Sequence, residues 1–131
     1  MEFFIEVHSI FRWVVLLTAV VAGAFAILAA AGARPWDAIA ERLSFLFPLA
    51  MDIQVLIGLV VWIFGAAWAG DTFLAWIHPA LMLVAVGLAH VGRARSERAE
   101  GSKAKGLQAA IFFDLSLLVV LLAIPVASWP L

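Results

Sequence analysis

Four long stretches without a charged residue constrain this chain more than any other feature of its sequence. They are residues 13–33, 53–70, 72–92 and 115–131, with lengths of 21, 18, 21 and 17 residues. A helix needs about 20 predominantly apolar residues to cross the roughly 30 Å of hydrocarbon in a bilayer. The stretches therefore predict four transmembrane helices. Their expected positions are residues 5–31, 43–69, 72–92 and 107–127.

The composition agrees with a membrane protein and excludes several other classes. Of the 131 residues, 66% are hydrophobic and 13% are charged, whereas about 25% are charged in an average soluble domain. The net charge of −1 leaves no basic excess to bind nucleic acid. The absence of cysteine excludes disulfides, thiolate-bound metals and thiol nucleophiles. We expect one all-α domain over residues 1–131, folded as an antiparallel bundle of four transmembrane helices.

The basic residues predict the orientation of the bundle. Seven of the eight lie in the predicted loops between helices 1 and 2 and between helices 3 and 4, and only Arg12 lies on the other side. The positive-inside rule assigns the basic side to the cytoplasm. Both termini are therefore expected outside.

Small residues predict where neighbouring helices approach closely, because they let helix backbones pack against each other within a membrane. The expected positions are Ala22, Gly23, Ala26 and Ala30 on helix 1, Gly58 and Gly65 on helix 2, and Ala85 and Gly87 on helix 3.

Ionisable side chains inside apolar spans are costly in lipid, so each one is a candidate functional residue. All three histidines, His8, His78 and His90, fall within or at the edges of the predicted spans. The other candidates are Arg12, Asp52, Asp114 and their polar neighbour Gln54. The position of every histidine in or beside a span is the most informative feature of this set.

The depths of the three histidines divide them between two sites. His8 lies near the outer end of helix 1, and His78 lies about 9 Å below the outer start of helix 3, so the two side chains are expected to face each other. His90 follows His78 by 12 residues, which places it roughly 18 Å deeper and about 120° around the helix. The sequence therefore predicts an outer site with His8 and His78 and an inner site with His90.

Two imidazoles on different helices suit a haem iron, because they can ligate its two faces, and helix bundles commonly hold cofactors between facing helices. We therefore expect one haem b at the outer site, with His8 and His78 as its axial ligands. Arg12 lies four residues after His8 on the same helix face, where it can pair with a haem propionate. Met82 lies one turn below His78, where it can pack against the ring.

The inner site is less complete than the outer one. His90 has no second histidine at its depth, and the facing part of helix 2 offers Met51 and Asp52 instead. Methionine can be an axial ligand of haem, whereas aspartate is a poor one and is expected to hydrogen-bond His90. Arg93 and Arg95 follow His90, either as propionate partners or as ordinary positive-inside residues.

Other interpretations of these residues remain open. A lone histidine near a helix end, such as His90, commonly makes an interfacial hydrogen bond. A zinc or copper ion would usually need a third or fourth ligand, for which the outer site offers only Glu6 or Asp71. An ion pathway is disfavoured because helices 1 and 4 are apolar across the midplane apart from Thr18. The residues of such a pathway would be Asp52, Gln54, His90 and Asp114, which are expected near the inner side.

Five short segments carry a resemblance that covers nearly the whole chain. In order, they are 8–13 (HSIFRW), 52–59 (DIQVLIGL), 78–82 (HPALM), 89–95 (AHVGRAR) and 123–125 (AIP). Together they resemble a family of small bacterial four-helix membrane proteins labelled cytochrome b-like.

The resemblance implies haem b held by His8, His78 and His90. It also implies a multi-pass protein of the bacterial inner (cytoplasmic) membrane, with the loops between helices 1 and 2 and between helices 3 and 4 in the cytoplasm. In some members a histidine stands at the position of Asp52, where it would complete an inner pair with His90. This chain departs from that pattern, so the resemblance supports one haem better than two.

Two functional hypotheses follow. In the first, the chain binds haem b and carries electrons between quinol and a periplasmic or complex-bound acceptor, rather than acting as a stand-alone enzyme. In the second, it is a non-catalytic accessory subunit of a larger respiratory or photosynthetic membrane complex, because it is small and has no soluble domain. A stable haem-loaded monomer or homodimer would contradict the second hypothesis. Besides these partners we expect the lipid bilayer and no nucleic acid, and a homodimer is left open.

Overall fold

The computed structural model of the protein describes residues 1–128 and consists of four long helices. They are α1 (Glu2–Ala30), α2 (Ala38–Phe64), α3 (His78–Arg98) and α4 (Ser102–Ala123). A π-helical turn over Phe73–Ile77 leads directly into α3, and short 3-10 turns cover Ala67–Ala69 and Val126–Ser128. No strand occurs in residues 1–128. The last three residues of the fourth uncharged stretch, 129–131, lie outside the described residues.

All four helices are long and apolar enough to cross a membrane, counting the π-helical turn with α3. This confirms the prediction of an all-α protein with four apolar helices. The helices pack side by side, with α1 against α2 and α4, and α3 against α2 and α4. The connections α1–α2 and α3–α4 meet at one end, where the backbone N–H of Trp36 donates to Ser102 Oγ at 3.0 Å. We call this the basic end, and the opposite one the cavity end.

The helix boundaries differ from the predicted ones where polar residues continue a helix. α2 begins at Ala38 rather than near residue 43, because Asp37 adopts an extended conformation and its carboxylate accepts from Ala40 N at 3.0 Å. α3 continues to Arg98 rather than ending near residue 92, so its three arginines lie on the helix and not in a loop. Hydropathy marks the part of a helix that suits a membrane, whereas backbone hydrogen bonding extends beyond it.

The turn between α3 and α4 is short and is closed by a lysine. Gly101 has φ +88°, a left-handed conformation that glycine adopts without steric cost. Lys105 Nζ then donates to the carbonyl oxygens of Ser96 at 3.0 Å and Glu97 at 3.3 Å. These carbonyls lie in the last turn of α3, so the lysine satisfies acceptors that have no partner within the helix.

A polar network around Glu41 joins α2 to α3 at the basic end. Arg93 donates to Glu41 Oε1 at 2.8 Å and to the hydroxyl of Ser44, and its Nε pairs with Glu97 at 2.6 Å. Trp36 Nε1 donates to the other oxygen of Glu41 at 2.7 Å. Arg93 is therefore bound by protein groups rather than free to hold a propionate.

Small residues bring α1 and α4 together, and their closest approach lies near the basic end. Ala19, Ala26 and Ala109 are fully buried, and a Cβ built on Gly106 would lie 2.5 Å from Ala30 N. Most of the predicted close-approach positions are buried or face a neighbouring atom. Gly87 is the exception: it is exposed, and a Cβ there would meet nothing within 4 Å. That prediction is wrong, because α3 turns this position to the bundle surface.

The contrast between Gly106 and Gly87 tests this packing. We expect Gly106→Ala to lower the free energy of unfolding by about 1–3 kcal/mol, because backbone atoms of α1 must move to accept the methyl group. Gly87→Ala is the matched control, and its better helix propensity should raise stability by up to about 1 kcal/mol. Denaturant unfolding in detergent micelles measures both. Equal effects of the two substitutions would contradict the proposed close approach of α1 and α4.

The cap at Asp37 makes stability depend on pH. The backbone N–H of Ala40, and then the Arg34 side chain at 2.7 Å, lower the pKa of Asp37 below its ordinary value of 3.8. A lowered pKa stabilises the fold at pH above 3.8, and this contribution disappears as the pH falls through the pKa of the folded state. We expect Asp37→Ala to lower the thermal unfolding midpoint at pH 7. The difference from wild type should vanish in acid, and a pH-independent difference would contradict this account.

Candidate functional site

A cavity of about 470 Å³ lies between the four helices at the cavity end. Its volume falls within the range of roughly 300–1,000 Å³ that is typical of small-molecule and cofactor sites. His8 and Arg12 line it from α1, and His78 and Met82 line it from α3. The structure therefore brings all four predicted residues of the outer site to one cavity.

The two histidine rings of this site are neighbours. Their centroids are 6.1 Å apart and their planes are perpendicular. His8 lies in the second turn of α1, and His78 is the first residue of α3. The expectation that they lie at one depth, which depends on the rise of 1.5 Å per residue, agrees with this arrangement.

His78 is oriented by the end of α4. Its Nδ1 lies 2.8 Å from the carbonyl oxygen of Ala123, the last residue of that helix. A carbonyl only accepts hydrogen bonds, so Nδ1 carries the proton and, in the neutral ring, Nε2 carries the lone pair. A backbone carbonyl that fixes the tautomer in this way is the usual support for a metal-binding histidine.

Pro79 changes the backbone just before this histidine. Proline has no N–H, so it cannot donate to the carbonyl of Ala75 four residues earlier. Trp62 of α2 donates to that carbonyl instead, with Nε1 at 2.7 Å from Ala75 O. The chain adopts the π-helical turn over the same residues, and the rings of Trp62 and Trp76 meet edge to face at 5.6 Å. Trp62 therefore attaches α2 to the start of α3 beside His78.

His8 is held from the α2 side. Gln54, which is 5% exposed, donates from Nε2 to the backbone carbonyl of His8 at 2.8 Å. A Cβ on Gly58 would lie 3.1 Å from His8 Cε1, so the imidazole fits against a position without a side chain. His8 Nδ1 is buried and has no hydrogen-bond partner within residues 1–128. A buried polar group without a partner costs about 1–3 kcal/mol, and a bound group that supplied one would recover this free energy.

Sequence reasoning placed Gln54 wrongly and did not assign Gly58 or Trp62 to a site. Gln54 was expected near Asp52 on the inner side, but it contacts His8 at the cavity end. These three residues are spaced by four along α2, so they share one helix face. That spacing, with a polar, a small and an amphipathic residue in line, is the signal that could have identified the cavity wall.

The predicted inner site is a surface pair rather than a cavity. His90 Nε2 lies 2.7 Å from Asp52 Oδ1, and the two side chains are 53% and 43% exposed. Aspartate therefore hydrogen-bonds His90, as expected. Met51 is fully buried in the hydrophobic core with Phe47. The residue that contacts His90 is therefore an aspartate, and not the methionine that could have been a second iron ligand.

Of the two remaining predicted residues, Arg12 belongs to the outer cavity and Asp114 is separate from both sites. Arg12 lies with its guanidinium 5.6 Å from the ring of Trp13 while it also lines the cavity. Asp114 of α4 lies against Gly23 of α1, where a Cβ would collide with its carboxylate. The residues of the ion-pathway interpretation are therefore divided among different contacts and do not form one line.

Within residues 1–128, no group of three or more histidine, aspartate and glutamate side chains converges as a metal site. Comparison of the chain with models of protein families, with curated proteins and with solved structures finds no match.

The bond between Trp62 and Ala75 gives a stability prediction for the cavity wall. Trp62→Phe keeps an aromatic ring but removes the donor, so a carbonyl of a buried residue loses its partner. We expect the free energy of unfolding to fall by about 1–3 kcal/mol. Trp68→Phe is the control, because Trp68 is exposed. If Trp62→Phe were as stable as the control, the indole would not be what attaches α2 to α3.

Proposed function

We propose that this chain is a membrane protein that binds haem b between His8 and His78 and transfers electrons. The observation that carries the proposal is the pair of imidazoles at a centroid distance of 6.1 Å in one cavity. Metal–imidazole bonds of about 2 Å put two opposed ligand nitrogens about 4 Å apart, and each ring centroid lies roughly 1 Å behind its nitrogen. The separation of the rings suits one metal ion between them.

The residues around the pair fit a porphyrin. Met82 of α3 and Val120 of α4 give the cavity apolar walls, and Gly58 leaves room for the His8 ring. His78 has its proton on the nitrogen that faces Ala123, which leaves the other nitrogen for iron. Arg12 lines the same cavity, where its positive charge can pair with a propionate.

This ligand set favours electron transfer over a reaction on a substrate. Haem iron changes oxidation state by one electron, and its axial ligands determine whether a position stays open for a substrate. With His8 and His78 both holding the iron, the chain would leave no iron position for a substrate. We therefore propose an electron carrier rather than a stand-alone enzyme, with membrane quinol and a periplasmic or complex-bound acceptor as partners.

One haem is proposed rather than two. A second haem would need His90, whose Nε2 is hydrogen-bonded to Asp52 on the bundle surface. Arg93 is not free to hold a propionate there, since it binds Glu41, and Arg95 is turned toward α4, where its Nε donates to Gln108 Oε1 at 2.7 Å.

The four apolar helices suggest a multi-pass membrane protein. We propose the bacterial inner membrane, with the basic end in the cytoplasm and the cavity end outside. Seven of the eight basic residues belong to the basic end of the bundle or the helix turns beside it, which supports this orientation by the positive-inside rule.

An optical spectrum of the purified protein tests the proposal. We expect a b-type α-band in the reduced-minus-oxidised spectrum, with a haem-to-protein ratio near one by pyridine haemochrome. His8→Ala and His78→Ala should each abolish or shift the band, because each removes an axial ligand. His90→Ala is the matched control and should leave the band unchanged.

Folding of the variants is checked by circular dichroism, and added imidazole should restore the band in a folded His78→Ala protein. A wild type without a b-type band, or a band that is unchanged in both His8→Ala and His78→Ala, would refute haem binding at this site. A band that is lost only in His90→Ala would move the haem to the His90–Asp52 pair.

A further inference from the structure

A second cavity lies at the basic end, between the last turns of α3 and the first turns of α4. Its volume is about 290 Å³, and it is lined by Arg95, Arg98, Ala99 and Gln108. It contains none of the residues assigned to the haem site, so conclusions about it rest on the proposed membrane location of the chain and not on haem binding.

The guanidinium of Arg95 is held in place at this cavity. Its Nε donates to Gln108 Oε1 at 2.7 Å, and its Cζ lies 5.6 Å from the ring centroid of Phe112. These contacts use one edge and one face of the guanidinium, and its terminal amino groups remain as donors. Gln108 also keeps its amide N–H groups, since the bond to Arg95 uses its oxygen.

The positive charge at this cavity is not neutralised by the protein. Arg34 pairs with Asp37, and Arg93 pairs with Glu41 and Glu97. Within residues 1–128 no ion pair joins Arg95 or Arg98 to a carboxylate, and the nearby acids are Glu97, which is bound by Arg93, and the exposed Glu100. Two guanidinium groups and an amide around a concave surface suit a phosphate, because planar guanidinium donors match its oxygens.

An exposed apolar strip continues from the cavity along the bundle. Val91 lies one turn before Arg95 on the same face of α3, and Ile111 and Leu115 lie three and seven residues after Gln108 on the same face of α4. All three are exposed. A charged cavity followed by exposed apolar side chains matches a molecule with a phosphate and hydrocarbon tails, whereas a free phosphate would use only the charged part.

We propose that Arg95, Arg98 and Gln108 form a binding site for the phosphate of an anionic phospholipid, whose acyl chains lie along Val91, Ile111 and Leu115. Basic pockets between helices at the cytoplasmic ends of membrane spans bind anionic headgroups. Here α3 ends at Arg98, so the arginines lie at the level where an apolar span gives way to charged residues.

The experiment measures lipid binding to the full chain in a non-ionic detergent. Phosphatidylglycerol and phosphatidylcholine with the same acyl chains are titrated into the protein, and inorganic phosphate is used in a third arm. Thermal unfolding midpoints and native mass spectrometry report stabilisation and bound lipid. The double variant Arg95→Gln/Arg98→Gln is compared with Arg42→Gln/Lys103→Gln, which removes the same charge from exposed residues at the basic end outside the cavity.

We expect phosphatidylglycerol to raise the unfolding midpoint of the wild type and of the Arg42→Gln/Lys103→Gln control, and phosphatidylcholine to have little effect. The apparent affinity for phosphatidylglycerol should fall by about tenfold or more in Arg95→Gln/Arg98→Gln, because charged hydrogen bonds are lost. Equal affinity in the two double variants would overturn the proposal. An equal stabilisation by inorganic phosphate would overturn the assignment to a lipid. If Arg95→Gln/Arg98→Gln does not fold, Arg95→Lys/Arg98→Lys takes its place, because it retains the charge but loses the planar donors.

Discussion

Polar groups inside an apolar bundle must find partners within the chain, and this constraint determines the structure around both ends of the molecule. In hydrocarbon a polar group without a hydrogen-bond partner costs roughly several kcal/mol, because it has lost its hydrogen bonds to water. The chain satisfies its groups by contacts between helices, such as Trp62 with Ala75 and Gln54 with His8. His78 with Ala123 and Ser116 with Ala85 follow the same pattern. The polar side chains thus specify which helix faces meet, which apolar side chains alone do not.

The fold and half of the candidate site could be predicted from the sequence, because both depend on regular helix geometry. The spacing of uncharged stretches predicted four helices, and the rise per residue placed His8 and His78 at one level. The helix ends could not be predicted from hydropathy, since Asp37 and Lys105 satisfy terminal backbone groups at positions that are not apolar. The partner of Gln54 could not be predicted either, because it depends on how α2 is rotated about its axis.

Glycines show the same limit of sequence reasoning. Gly106 and Gly87 both lie inside helices, and only the tertiary structure shows which of them meets a neighbouring helix. Gly106 meets the α1 backbone, whereas Gly87 lies on the surface. Small residues allow helices to approach closely, but which of them face another helix depends on which two helices become neighbours. In this bundle the α1–α4 contact closes the ring of helices, so the glycine of α4 is the one that tertiary packing requires.

The contact between α2 and α3 links the geometry of the cavity to the proposed electron transfer. At the basic end Arg93 joins these helices through Glu41, and at the cavity end Trp62 joins them through Ala75. Between these points Leu59 and Leu83 line the cavity and are also exposed on the outside of the bundle. The cavity therefore reaches the apolar surface between α2 and α3, at a level that lies between the two contacts that join these helices. Under the proposed function, a cofactor held by His8 and His78 would be approachable from the α2–α3 side, where a membrane-dissolved partner could exchange electrons with it.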